Sequence, residues 1–202
     1  MLIAAGLLTS PMVSAETVTV EVVPELSDFE SAIVSGLDIT VQKDLTQRYN
    51  QIYGVYGNLV DSGVKGTSVR IFDTNVVFDD LTQPTEDSFW RGLRLHSYDE
   101  VAVENTSVTF SNINLENSQK VGLTEMKFYE FGSATVSDNE VTVDNVVINS
   151  GSRSLVGADF EVETIDSSRI VAQGNTLQIL DSTFTDLDDV ATVHSYQEGG
   201  GS

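Results

Sequence analysis

The sequence predicts an all-β solenoid, with short strands stacked coil upon coil behind a short capping helix. One strand grammar recurs four times, as SVRIFDTNVVF, SVTFSNINLEN, EVTVDNVVINS and TLQILDSTFTD. Ahead of it, Glu25–Thr46 reads as a helix that runs into a first strand. The composition agrees. Hydrophobic residues make up 40% and charged residues 20%, which is too apolar for a disordered chain. With only 3 prolines, the remainder is rich in Val, Thr, Ser, Asn, Asp and Gly, the residues of strands and turns.

Residues 1–15, MLIAAGLLTSPMVSA, read as the apolar core and cleavage region of a secretory signal. Leu2–Leu8 is the apolar run, Pro11 breaks it, and Val13-Ser14-Ala15 supplies small residues before a cut that would leave Glu16 first. No Lys or Arg precedes the run. The run is too short to span a bilayer as a helix. Residues 16–46 follow as strand, helix and first coil. Val18, Val20 and Val22 alternate with polar residues, the period of a half-buried strand, and Pro24 ends it. Ser27 and Glu30 have capping-box spacing, Phe29, Ala32 and Ile33 share a helical face, and Gly36 stands where a helix would stop. Leu37, Ile39 and Val41 then alternate again.

Residues 47–198 carry the repeats. Anchoring them on Val69, Val108, Val141 and Leu177 gives spacings of 39, 33 and 36 residues. Each anchor begins apolar-x-apolar-x-(Asn/Asp)-x-x-apolar, with Asp73, Asn112, Asn145 and Asp181 at the polar position. Asn and Asp tolerate left-handed backbone, so each can bend the strand toward the next side of a coil. The period reads as two coils, or one coil with an outward loop. A second echo, Leu95-His96-Ser97-Tyr98 and Val193-His194-Ser195-Tyr196, has Tyr53-Gly54-Val55-Tyr56-Gly57 in a comparable place. Residues 199–202 form a Gly-rich tail or a cut repeat.

Two resemblances follow from these residues. Asp28-Phe29, Ala32-Ile33, Ser35-Gly36, Ile39-Thr40-Val41 and Asp44-Leu45 resemble the opening of right-handed parallel β-helix proteins of the pectin-lyase-like kind. There the helix plugs the open first coil. From Tyr53 onward, the Gly/Tyr/Ser turns followed by Gly66-Thr67-Ser68-Val69, Asn105-Thr106-Ser107-Val108 and Gly174-Asn175-Thr176-Leu177 resemble passenger regions of bacterial autotransporter-type adhesins. This resemblance implies a secreted or cell-surface stalk, exterior to an outer membrane and held there by a C-terminal barrel that this chain does not contain. Its partner would be a protein or glycan on a host or neighbouring cell.

The formal charge of −21 repels phosphate backbones, which disfavours nucleic acid as a partner. Cysteine is absent, so disulfides and thiolate metal sites are excluded. No catalytic site is expected. His96 and His194 fall in the second echo and read as equivalent turn positions, several coils apart. Asp79-Asp80 and Asp186, Asp188, Asp189 offer hard oxygen ligands for Ca²⁺, but they lack the Gly-rich spacing of a dedicated loop and read as turn acids; no cofactor is expected. A polysaccharide lyase or glycosidase, the rival reading, needs paired carboxylates or an acid with a basic partner. Arg91 or Arg94 near Glu86 and Asp87 is the available set, and the His-containing and Arg-Ile-Lys-like signatures of pectin-degrading enzymes are missing. The Asn105-Thr106-Ser107 sequon lies inside the repeat and reads as structural. Leu81–Gly92 departs furthest from the repeat, and Phe89, Trp90 and Arg91 on it are the candidate partner-binding residues, the alternative being that they tuck onto the flank.

Overall fold

The computed structural model describes residues 12–13, 16–20, 31–41, 51–58, 66–81, 88–96, 98–115, 118–128, 133–148, 154–162, 169–185 and 189–197. They form three sheets in which every pair is parallel. The first sheet orders β1 (Met12–Val13), β3 (Ser31–Ser35), β6 (Gly66–Phe72), β9 (Tyr98–Glu104), β12 (Ser133–Ser137) and β15 (Arg169–Gln173). The second orders β2 (Glu16–Val20), β4 (Leu37–Val41), β7 (Asn75–Asp79), β10 (Ser107–Leu115), β13 (Glu140–Ile148) and β16 (Thr176–Leu180), with β17 (Thr183–Phe184) also on β13. The third orders β5 (Gln51–Asn58), β8 (Ser88–His96), β11 (Ser118–Phe128), β14 (Ser154–Val162) and β18 (Asp189–Gln197). From β3 onward the chain visits the sheets in rotation, so each strand pairs with the strand one circuit earlier and one circuit later.

The register stacks like on like. In the second sheet Val76, Val108, Val141 and Leu177 form one column, while Phe78, Phe110, Val143 and Ile179 form another. The first three members of both columns are buried. Alternation along β13 puts Val141 and Val143 inside, then shifts phase at left-handed Asn145 and puts Val146 and Ile148 inside, with the other residues half-buried or exposed. Each fully buried Val or Phe contributes roughly 1.5–3 kcal/mol against exposure, so one misplaced residue per strand would forfeit most of that strand's share. Phe78 stacks on Phe110 at 4.7 Å between ring centroids and meets Trp90 at 6.0 Å, which ties the second sheet to the third.

Two bends are built from left-handed residues. Gly36, Asp73, Asn105, Asp138 and Gly174, all at positive φ, turn the chain from the first sheet into the second. Asp80, Asn112, Asn145 and Asp181, also at positive φ, make a second bend farther along. A third irregularity lies in the third sheet, where the pairing register steps over Gly54, Gly92, Leu123, Gly157 and Thr192, one residue per strand. A Cβ on Gly54 would collide with the Val76 side chain and sit 2.7 Å from the Gly92 carbonyl oxygen, so only glycine fits that approach.

Three expectations need correcting. Ser31–Ser35 is strand β3 rather than the second half of a capping helix; Ile33 and Val34 pair with Arg70 and Ile71, a role their β-branched side chains favour. Residues 27–30 lie outside the described residues. The repeat anchor Val69 belongs to the first sheet, whereas Val108, Val141 and Leu177 belong to the second; their counterpart is Val76, and the column is spaced 32, 33 and 36 residues apart. One period is therefore one circuit of three sheets. Both bends share the grammar apolar-x-apolar-x-(Asn/Asp), which is why the first copy aligned on the wrong one.

Candidate functional site

The residues expected to meet a partner lie in β8, an inner strand of the third sheet paired on both sides. Trp90 and Arg91 are wholly buried in β8, and Phe89 precedes them in the same strand. Leu81 is buried as well, and residues 82–87, with Glu86 and Asp87, lie outside the described residues. Trp90 faces the interior, packed on Phe78, and its Nε1 makes no hydrogen bond among the described residues. Alternation turns Arg91 to the opposite face, where Tyr53 is its neighbour in register. Neither side chain presents surface to a partner in this structure.

A cluster of aromatic and basic groups does reach partial exposure on that same face of the third sheet. Tyr53 and Tyr56 stack at 5.7 Å, and the Arg94 guanidinium lies 5.3 Å from one ring centroid and 5.7 Å from the other. Arg94 also donates from a terminal nitrogen to the Tyr53 hydroxyl at 3.3 Å and from Nε to His96 Nε2 at 3.4 Å, a bond that requires His96 Nε2 to keep its lone pair. Tyr56 and Arg94 are half-buried, while Tyr53 and His96 are buried. The step in the sheet after Gly54 and Gly92 lets Tyr53 and Tyr56 share one face although they are three residues apart. In the sequence this group was visible only as the Gly/Tyr echo, and Arg94 only as one possible partner for an acid. Tyr98, at the start of β9, is buried nearby in sequence, and burial pushes its phenol well above the ordinary range.

The two histidines are not equivalents. His96 shares a register column with Lys127, Glu161 and Tyr196; His194 shares one with Asp159, Glu125 and Arg94. They lie in strands three apart, about 14 Å along the stack at 4.7–4.9 Å per strand, too far to act on one group.

The bends carry ladders of side-chain hydrogen bonds. Asn105 donates through Nδ2 to Asp73 Oδ1 at 2.5 Å, Asn145 to Asn112 Oδ1 at 2.8 Å and Asn112 to Asp79 Oδ1 at 2.9 Å. Ser111 donates to the same Asp79 oxygen at 2.6 Å. These donors, Ser111 first, hold the Asp79 carboxyl below its usual range. One residue past the first bend, Asn139 is buried; its Oδ1 accepts from Thr106 N at 2.8 Å, and its Nδ2 donates to Val103 O at 2.9 Å. Asn175 repeats the motif for Asn139 N and Val136 O. Each of these bonds joins a bend to the equivalent bend of the neighbouring strand. The sequon asparagine Asn105 is one of these rungs, so its amide nitrogen already has a structural task. Asp79 and Asp80 stand at the second bend as strand-end acids, Asp189 opens β18, and Asp186 and Asp188 lie outside the described residues. Among the described residues no three acids or histidines gather as a metal site, and no helix is long and apolar enough to cross a membrane, which says nothing of a β-barrel. No family model, curated protein or solved structure matches this chain.

Proposed function

We propose that the chain is a right-handed parallel β-helix serving as the non-catalytic stalk of a secreted or cell-surface, autotransporter-like adhesin. The rotation of strands through three parallel sheets carries this reading, because such an order grows in one dimension and each circuit buries only its neighbours. The bends support it by using their polar groups on each other, circuit to circuit. A charge of −21 would keep so repetitive a surface soluble and discourage sideways strand pairing. Adhesion would fall to the segments between strands, with a protein or glycan of a host or neighbouring cell as partner. The test is adhesion of cells displaying the chain beside assay of the purified protein on pectin and alginate with and without Ca²⁺. Adhesion without turnover is the expected result; reproducible glycan cleavage would overturn the reading.

One observation favours a second reading, a glycan-binding face. Tyr53, Tyr56 and Arg94 combine stacked aromatic rings with a guanidinium on one sheet face, groups suited to a sugar ring and its acid substituent. Under this reading Tyr56→Ala and Arg94→Gln each weaken oligosaccharide binding by calorimetry at least tenfold with little change in Tm. No detectable binding by the unaltered protein would remove it.

A further inference from the structure

A histidine closes the aromatic and basic cluster of the third sheet. The Arg94 guanidinium is held over the rings of Tyr53 and Tyr56 by two acceptors, the Tyr53 hydroxyl at 3.3 Å and His96 Nε2 at 3.4 Å. A phenol keeps its acceptor across the physiological range, whereas an imidazole loses its lone pair when it takes a proton. Protonated His96 would turn a donor toward the Arg94 donor and set a second positive charge beside it. His96 is only 4% exposed, so little water screens that repulsion. Arg94 is half-buried and already reaches solvent, unlike Tyr53 and His96.

The neighbouring strands set the charge around this contact. On its own strand, His96 faces Arg94. β5 supplies Tyr53 and Tyr56 to the cluster and Asn58 at the register position beside His96. β11 places Lys127 beside His96 and Glu125 beside Arg94, and β14 places Glu161 and Asp159 one strand further along the same two columns. A cation thus flanks His96 in register, while an acidic residue stands one strand from Arg94, on the side to which a displaced guanidinium would be drawn. We propose that His96 is a pH latch on this face: neutral, it holds Arg94 over Tyr53 and Tyr56; protonated, it expels the guanidinium and takes the platform apart. The latch deepens the glycan-binding reading and rests on it for its ligand, a sugar with an acid substituent that the face takes at neutral pH and releases in acid. His194 stands three strands away and serves as an internal control.

Nuclear magnetic resonance of the full chain, titrated from about pH 8 to pH 5 with circular dichroism confirming the fold throughout, tests this. The chain has 2 histidines, so His194→Gln assigns the imidazole signals. The ring-proton signals of Tyr53 and Tyr56 should move with the midpoint of His96 and not with that of His194. In His96→Gln, whose amide oxygen accepts at every pH, they should stay at their high-pH positions. Should that variant lose its β signal, Arg94→Gln serves instead: with no guanidinium to expel, its tyrosine signals should not follow His96. A second arm measures binding of oligogalacturonate by calorimetry at both ends of the range. The parent should lose affinity by about tenfold or more in acid, and His96→Gln should keep it. No binding by the parent at the upper pH removes the glycan reading, and the resonance arm then decides the latch alone. A His96 that stays neutral throughout overturns the latch. So do tyrosine signals that ignore its protonation, or that move equally in His96→Gln.

Discussion

Seven described residues other than glycine hold left-handed backbone, and all seven are Asn or Asp. An ordinary side chain there costs roughly 1–2 kcal/mol, so these positions select short polar residues that can also bond the next circuit. Asn105→Ala should lose the bond to Asp73 along with this tolerance and lower stability by about 1–3 kcal/mol, while Asn105→Gly should recover the backbone share; chemical denaturation of the pair separates the two effects. Asn139→Ala should be worse, because Thr106 N and Val103 O are then left buried and unpaired. Asp79 adds a pH dependence. Its folded pKa lies below the unfolded one, so its contribution is full above the ordinary carboxylate range and is lost as pH falls through the folded value. The Asp79→Asn variant should therefore show a shallower decline of Tm between about pH 5 and pH 3 than the parent. The bend residues were legible in sequence because backbone sterics narrow the choice to a few residue types. The rungs one place later, Asn139 and Asn175, were not, since nothing in a single sequence says which side of the chain is buried.

At the scale of the strand, alternation identified the inward faces of β10, β13 and β16, and the registers Val108 to Val141 to Leu177 agree with it. It failed for Ser31–Ser35, where helix-capping spacing and a period-two strand compete over five residues, and pairing with β6 decides the outcome. Nor did it decide Trp90. The repeat-breaking segment read either as a partner-binding loop or as residues tucked onto the flank, and β8 carries Trp90 into the space beside Phe78. Trp90→Ala should therefore destabilise the protein by about 3–5 kcal/mol through the cavity it leaves, seen as a fall in the denaturant midpoint. Val143→Asp should cost several kcal/mol, because it buries a charge without a partner, whereas Thr142→Asp on the half-buried outer side should cost far less. Equal losses from these two neighbours would contradict the inward assignment of β13.

At the scale of the molecule, the repeat period was legible and the number of sheets was not. Two bends with the same apolar-x-apolar-x-(Asn/Asp) grammar let the first copy align one bend early, and the irregularity in the third sheet carries no such mark, since its five positions are Gly54, Gly92, Leu123, Gly157 and Thr192. The central claim is that successive circuits add one parallel strand to each sheet. Thr40, Val77, Thr109, Thr142 and Gln178 form one outward column of the second sheet, so spin labels at pairs of these positions read the stack directly. Thr40 and Thr142 are three strands apart and Thr40 and Gln178 four, which at 4.7–4.9 Å per strand predicts backbone separations of about 14 and about 19 Å. Pulsed dipolar spectroscopy should find the second pair farther apart than the first by one strand spacing. Equal distances for the two pairs, or a shorter one for Gln178, would contradict the parallel stacking on which the account rests.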